Sequence, residues 1–177
     1  MLWVDSFLSS GPDYAAEDMC AAEVQDLLLR AALGAGLPLR QAQDMAGLGS
    51  LLMADPKLFA MGVASLEGPH LPVKFEGTAD HMVIDDARLA MSATKMVDAL
   101  AEGATRVVLH GLDWPQLLWP VLVRGQHVYG FGAELNRPDR HTVMVTRSST
   151  KLPALAAPQA VPVVPLRELQ LLAAKAS

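Results

Sequence analysis

The chain has 177 residues, 51% of them hydrophobic and 19% charged, with a formal net charge of −5. That length fits one domain better than two, and so apolar a composition excludes a disordered chain and supports a core without staples. The 14 lysines and arginines are scattered, without the basic stripe that meets nucleic-acid phosphates, so no nucleic-acid partner is expected.

The single cysteine, Cys20, excludes an internal disulfide. It opens an apolar helix with no nucleophile signature around it, so a small buried hydrophobe is expected rather than an activated thiol. The first residues lack a basic region and are interrupted by Asp5, unlike a signal peptide. No run reaches the ~20 apolar residues of a membrane helix. A cytoplasmic protein with no membrane partner is the expectation. The low charge points to apolar surface covered by another subunit, hence a homo-oligomer.

Residues 1–17 read as an irregular arm. Val24, Leu27, Leu28, Ala31 and Ala32 recur at helical spacing and predict a helix over 18–33, which the Gly34-Ala35-Gly36 segment ends. Pro38 opens a second helix, with Leu39, Ala42, Met45, Ala46 and Leu48 as its apolar stripe and Asp55-Pro56 closing it. Together they predict an antiparallel helical hairpin. Residues 57–71 suit either a helical turn or a strand.

From Pro72 two short strands surround Gly77-Thr78. Asp85 is expected to cap a helix striped by Leu89, Ala93, Met96, Val97 and Leu100, which Gly103 ends. A strand over 105–109 follows, completing a βαβ unit with a parallel pair. Asp113 repeats the capping pattern for the next helix, which opens near Pro115, is kinked or ended by Pro120, and is stopped by Gly125. Strands over 127–135 and 141–147 flank the turn residues of Asn136-Arg137-Pro138-Asp139 and pair as a hairpin. The fold class predicted is α/β (α+β mixed): a helical hairpin, then a β-β-α-β-α-β-β mixed sheet, as a single domain over 1–150. A Pro/Ala-rich extension over 151–177 ends in a short helix with Leu166, Leu169, Leu172 and Ala173 on one face. So apolar a tail docks on its own domain or on a neighbouring subunit.

Two segments resemble a bacterial domain-of-unknown-function family. Residues 23–46 are similar to its opening helix, Gly-Ala-Gly-Leu-Pro run and second helix, and residues 102–122 to its later strand, Asp, Pro and Leu-rich helix. The likeness covers about a third of the chain, and Leu39-Arg40 stand where the family has Trp-Gly. It implies a bacterial, cytoplasmic protein and carries no activity or catalytic residue.

No dinucleotide, P-loop, zincin, nucleophile-elbow or paired-cysteine motif is present. Gly130 and Gly132 read as a bulge or a close backbone approach within a strand. His81 and Asp85 share a strand face but lie roughly 13 Å apart, too far for one ion. A metal enzyme built on His81 would need distant ligands, and no metal or cofactor is expected. Topology gives a better site. Asp85 and Asp86 follow one strand of the parallel pair, and His110, Gly111, Asp113 and Trp114 follow the other. Both groups then sit at the carboxyl edge of the sheet, where open α/β sheets bind ligands. His110 would serve as acid or base, with Asp113 or Asp85 orienting it; Asp86, Trp114 and Gly111 would contact a ligand. The competing reading makes both aspartates helix caps and His110 a strand end, with Trp114 and Trp119 in the core. Two functions stand: a non-catalytic accessory module binding a small molecule or protein as a homo-oligomer, or a small acid–base enzyme using Asp85, His110 and Asp113.

Overall fold

The computed structural model describes residues 16–17, 19–153 and 161–176. In chain order the elements are β1 (Ala16–Glu17), α1 (Ala21–Gly34), α2 (Leu39–Ala46), α3 (Gly49–Leu52), α4 (Pro56–Ala64), β2 (Lys74–Gly77) and β3 (His81–Asp85). There follow α5 (Leu89–Glu102), β4 (Arg106–His110), α6 (Leu118–Tyr129), β5 (Gly132–Asn136), β6 (Thr142–Ser148), β7 (Val161–Pro162) and α7 (Val163–Ala174), with a 3-10 turn over Pro115–Leu117 ahead of α6. The mixed α/β class is as the sequence predicts. Where the sequence suggests one domain over 1–150, the residues group into two compact units, Met1–Gly68 with Leu155–Ser177, and Pro69–Ala154. Most of the N-terminal arm and residues 154–160 of the extension lie outside the described residues.

The first unit is helical. Val24, Leu27, Leu28, Ala31 and Ala32 of α1 are buried as their spacing requires. The second helix is shorter than predicted. It ends at Ala46, with Gly47 as its cap, and α3 follows as a separate turn. Its stripe starts at Ala42, because Leu39 is 59% exposed. Residues 56–64 form helix α4: Asp55 accepts the Lys57 N–H at 2.8 Å, Pro56 needs no partner in the first turn, and Phe59 and Val63 are buried. Cys20 is exposed, contrary to the buried hydrophobe expected. It stands just before the first turn of α1, where its N–H donates to Glu23 at 2.8 Å. The apolar tail is α7, with Leu166, Leu169 and Ala173 buried. It packs on α1 of the same chain, the first of the two docking partners allowed for it. β1 and β7 pair antiparallel, Ala16 opposite Pro162.

The second unit is built on a five-stranded sheet in the order β2-β3-β4-β6-β5. β3 and β4 are parallel, Ile84 beside Leu109, and the remaining neighbours are antiparallel. The βαβ unit and the final hairpin are therefore as predicted. Alternation buries Met82, Ile84, Val107, Leu109, Val143 and Val145 on one face. Helix α5 lies on that side, since Lys95 sits 4.3 Å above the ring of Phe75, the residue paired with Ile84; α6 packs against α5. The opposite face carries the half-buried row Val83, Val108 and Met144, with Glu76 and Asn136 at its ends. Arg147 donates to the Leu100 carbonyl at 2.8 Å, closing the last turn of α5 with a cation at its negative end.

Three local expectations fail here. Pro120 does not end α6. It is the third residue of that helix, in the first turn, where backbone N–H groups lack a helical partner anyway. Gly125 does not stop α6 but lies buried inside it, and a Cβ there would press on the Phe131 ring at 2.8 Å. The helix consequently runs through His127 to Tyr129, with Gly130 as its left-handed cap, and the strand begins only at Gly132. Gly132 is the close backbone approach expected: an added Cβ would collide with the carbonyl oxygens of Ser148 and Thr150. Trp119 is not a core residue; its ring is partly exposed and its N–H donates to the Pro153 carbonyl at 3.3 Å.

Candidate functional site at the carboxyl edge of the parallel strands

The parallel pair brings two turns to one edge. β3 ends on Asp85 and the chain turns at Asp86 (φ 48°); β4 ends on His110 and turns at Gly111 (φ 66°). The turns are tied together: the Ala87 N–H donates to the His110 carbonyl at 2.9 Å and the Asp113 N–H to the Ala87 carbonyl at 3.3 Å. Asp86 and Trp114 (φ 49°) hold left-handed backbone without being glycine. Such conformations cost about 1–3 kcal/mol, persist only where the surroundings fix them, and cluster at functional sites.

Neither aspartate caps its own helix. Asp85 is the last residue of β3, and the residue before α5 is Arg88. The α5 cap comes from Asp113, across 24 positions of sequence: its carboxylate accepts the Leu89 N–H at 2.6 Å. Capping logic by sequence neighbourhood fails because the parallel pairing sets the β4 turn beside the start of α5. The other Asp113 oxygen lies 3.7 Å from the Arg88 guanidinium. Burial pushes the Asp113 carboxyl above its ordinary range, against the opposing pull of the Leu89 N–H and of Arg88.

Between the turns, the first turn of α5 and the segment entering β2 lies a cavity of about 280 Å³. Its polar wall is Lys74, Asp85, Asp86, Arg88, Ser92 and Gly111; Leu71, Pro72, Val73 and Met91 give apolar surface. Lys74 is paired with Asp85 across β2 and β3. Among the described residues, Lys74, Asp85 and Asp86 enter no ion pair. Ser92 is 3% exposed, and its hydroxyl makes no hydrogen bond among the described residues.

Of the residues singled out from sequence, Asp85, Asp86 and Gly111 line this cavity. His110, Asp113 and Trp114 do not. The His110 ring places Nδ1 3.1 Å from the Thr142 hydroxyl, Asp113 is committed to Leu89 and Arg88, and Trp114 forms the left-handed residue ahead of the 3-10 turn. Sequence reasoning missed Lys74, Arg88 and Ser92. Lys74 would follow from the hairpin register around Gly77; Ser92 carries no signal beyond its place on a helix. His81 pairs instead with Asp80 at 2.8 Å. Among the described residues no group of three or more His, Cys, Asp or Glu side chains is placed to hold a metal ion, and no helix is long and apolar enough to cross a membrane.

No protein-family model matches this chain, nor does any curated protein. Among solved structures, that of malate dehydrogenase from Entamoeba histolytica is similar over 55% of this chain and 32% of its own, at 13% identity and a TM-score of 0.40. The chain thus spans about a third of that protein's length. A likeness this slight carries no argument about activity.

Proposed function

We propose that this is a bacterial, cytoplasmic, non-catalytic binding module that seats a small molecule at the carboxyl edge of β3 and β4. The observation carrying this reading is the cavity itself: about 280 Å³ in volume, bounded by the left-handed Asp86 turn and the Gly111 turn, with Lys74, Asp85 and Asp86 in no ion pair and the Ser92 hydroxyl in no hydrogen bond among the described residues. Ligand pockets run from about 300 Å³ upward, with a few convergent polar groups on apolar walls, so a ligand at the small end of that range fits. The acid–base alternative requires Asp85, His110 and Asp113 to face one reacting group. Only Asp85 lines the cavity, which favours binding over catalysis.

Titrating pools of small metabolites into the isotope-labelled full chain is expected to move the backbone amides of 85–92 and 111 in a ¹H–¹⁵N spectrum. If every pool leaves those amides in place, or moves others instead, the reading fails. The proposal includes a homo-oligomer. Its support is the low charge of the chain, 19% of residues, because the tail helix finds its partner within its own chain. Light scattering is expected to give a multiple of the 18.9 kDa chain mass, and a monomer would remove this part.

A further inference from the structure

We propose that the cavity takes a small zwitterion, an α-amino acid or near relative, with its carboxylate at the first turn of α5 and its ammonium against Asp85 and Asp86. This rests on the binding reading above and adds the chemical class of the ligand.

The cavity is lined by residues of both signs: Asp85 and Asp86 are acidic, and Lys74 and Arg88 are basic, with Arg88 also lying 3.7 Å from the Asp113 carboxylate. A simple anion would meet two like charges, and a simple cation the other two. A ligand carrying one charge of each sign satisfies both sets. The polarity follows from α5. Its amino-terminal turn presents the positive end of the helix dipole, which favours a negative group. Arg88 directly precedes that turn, and Ser92 lies within it.

Ser92 is the decisive residue. A serine inside a helix commonly returns its hydroxyl to a carbonyl one turn back. This one is buried and makes no hydrogen bond among the described residues. A buried hydroxyl left unpaired is unfavourable, and a ligand carboxylate accepting from it would relieve that cost. The ammonium would face Asp85 and Asp86, which enter no ion pair among the described residues. The volume of about 280 Å³ is enough to seat a small amino acid.

The test uses L-alanine, L-serine and L-aspartate on the full chain, followed at the amides of 85–92 and 111. Propionate and ethylamine serve as alanine stripped of its ammonium or its carboxylate, and inorganic phosphate as a plain anion. At least one amino acid is expected to move these amides saturably, with propionate and ethylamine each weaker by about tenfold or more. Ser92→Ala is expected to weaken the amino acid about tenfold, as loss of one hydrogen bond to a charged group would, with its melting temperature kept or raised. Asp86→Asn is expected to weaken the amino acid and leave propionate unchanged. If propionate or phosphate binds as well as the amino acids, the site is an anion site and the proposal is overturned; equal binding of ethylamine overturns it in the opposite sense. Should other metabolites move these amides while zwitterions do not, this inference falls and the binding reading stands. If nothing moves them, both fall.

Discussion

Replacing Gly34 by alanine is expected to destabilise the helical unit by about 3 kcal/mol, although alanine is the better helix former. Gly34 is the last residue of α1, where the helix passes against the end of α7. A Cβ built there would overlap the Leu172 carbonyl oxygen and come within 3.1 Å of the Ala176 amide. Both are backbone atoms, so no side chain can swing aside. Either α7 shifts, uncovering Leu166, Leu169 and Ala173, or the end of α1 unwinds. The sign of the effect is diagnostic. Were α7 docked elsewhere, Gly34→Ala would relieve the entropic cost of a helical glycine and stabilise the chain by up to about 1 kcal/mol. Urea denaturation of the full chain reads the difference. Gly36→Ala is the control: φ is 92° but nothing lies within 4 Å of the added Cβ, so it strains the backbone without touching α7.

Asp113→Ala is expected to cost about 2 kcal/mol, combining a lost helix cap with an unsatisfied amide. Leu89 is fully buried, so water does not replace the lost carboxylate. Asp113→Asn keeps an acceptor for the Leu89 N–H and is expected to stay within about 0.5 kcal/mol of the native chain at pH 7. The two substitutions also differ in what they say about pH. Burial raises the folded-state pKa of Asp113 above the ordinary carboxylate value of 3.8. Its contribution is therefore full below that value and is lost as pH rises through the folded pKa. The native chain is expected to lose stability over that window relative to Asp113→Asn, which has nothing to titrate. Melting temperatures of both proteins between pH 3 and pH 7 check this; parallel profiles would mean that Asp113 is not desolvated. The same variants bear on the cavity, because the cap fixes the turn of α5 that carries Ser92.

Much of the local structure is legible in the sequence. The stripes Val24-Leu27-Leu28-Ala31 and Leu89-Ala93-Met96-Leu100 name their helices because helical burial repeats every 3.6 residues. The β-branched strand before His110, one helix after Ile84, identifies the parallel pair, and with it the edge where Asp85, Asp86 and Gly111 meet. Residues such as Pro120 and Gly125 mislead when taken alone. The meaning of a proline depends on its distance from the helix start, and Gly125 is explained by Phe131 packed against it.

By itself the sequence determined the fold class, the order of the main elements and the edge of the sheet where the candidate site lies, because these depend on periodicity and on chain connectivity. Only the tertiary structure decided the contents of that site. Asp113 left it to cap a helix 24 positions earlier, His110 turned to Thr142, and Lys74, Arg88 and Ser92 entered it. Those assignments depend on strand register and on side-chain direction across elements distant in sequence, which no local pattern encodes.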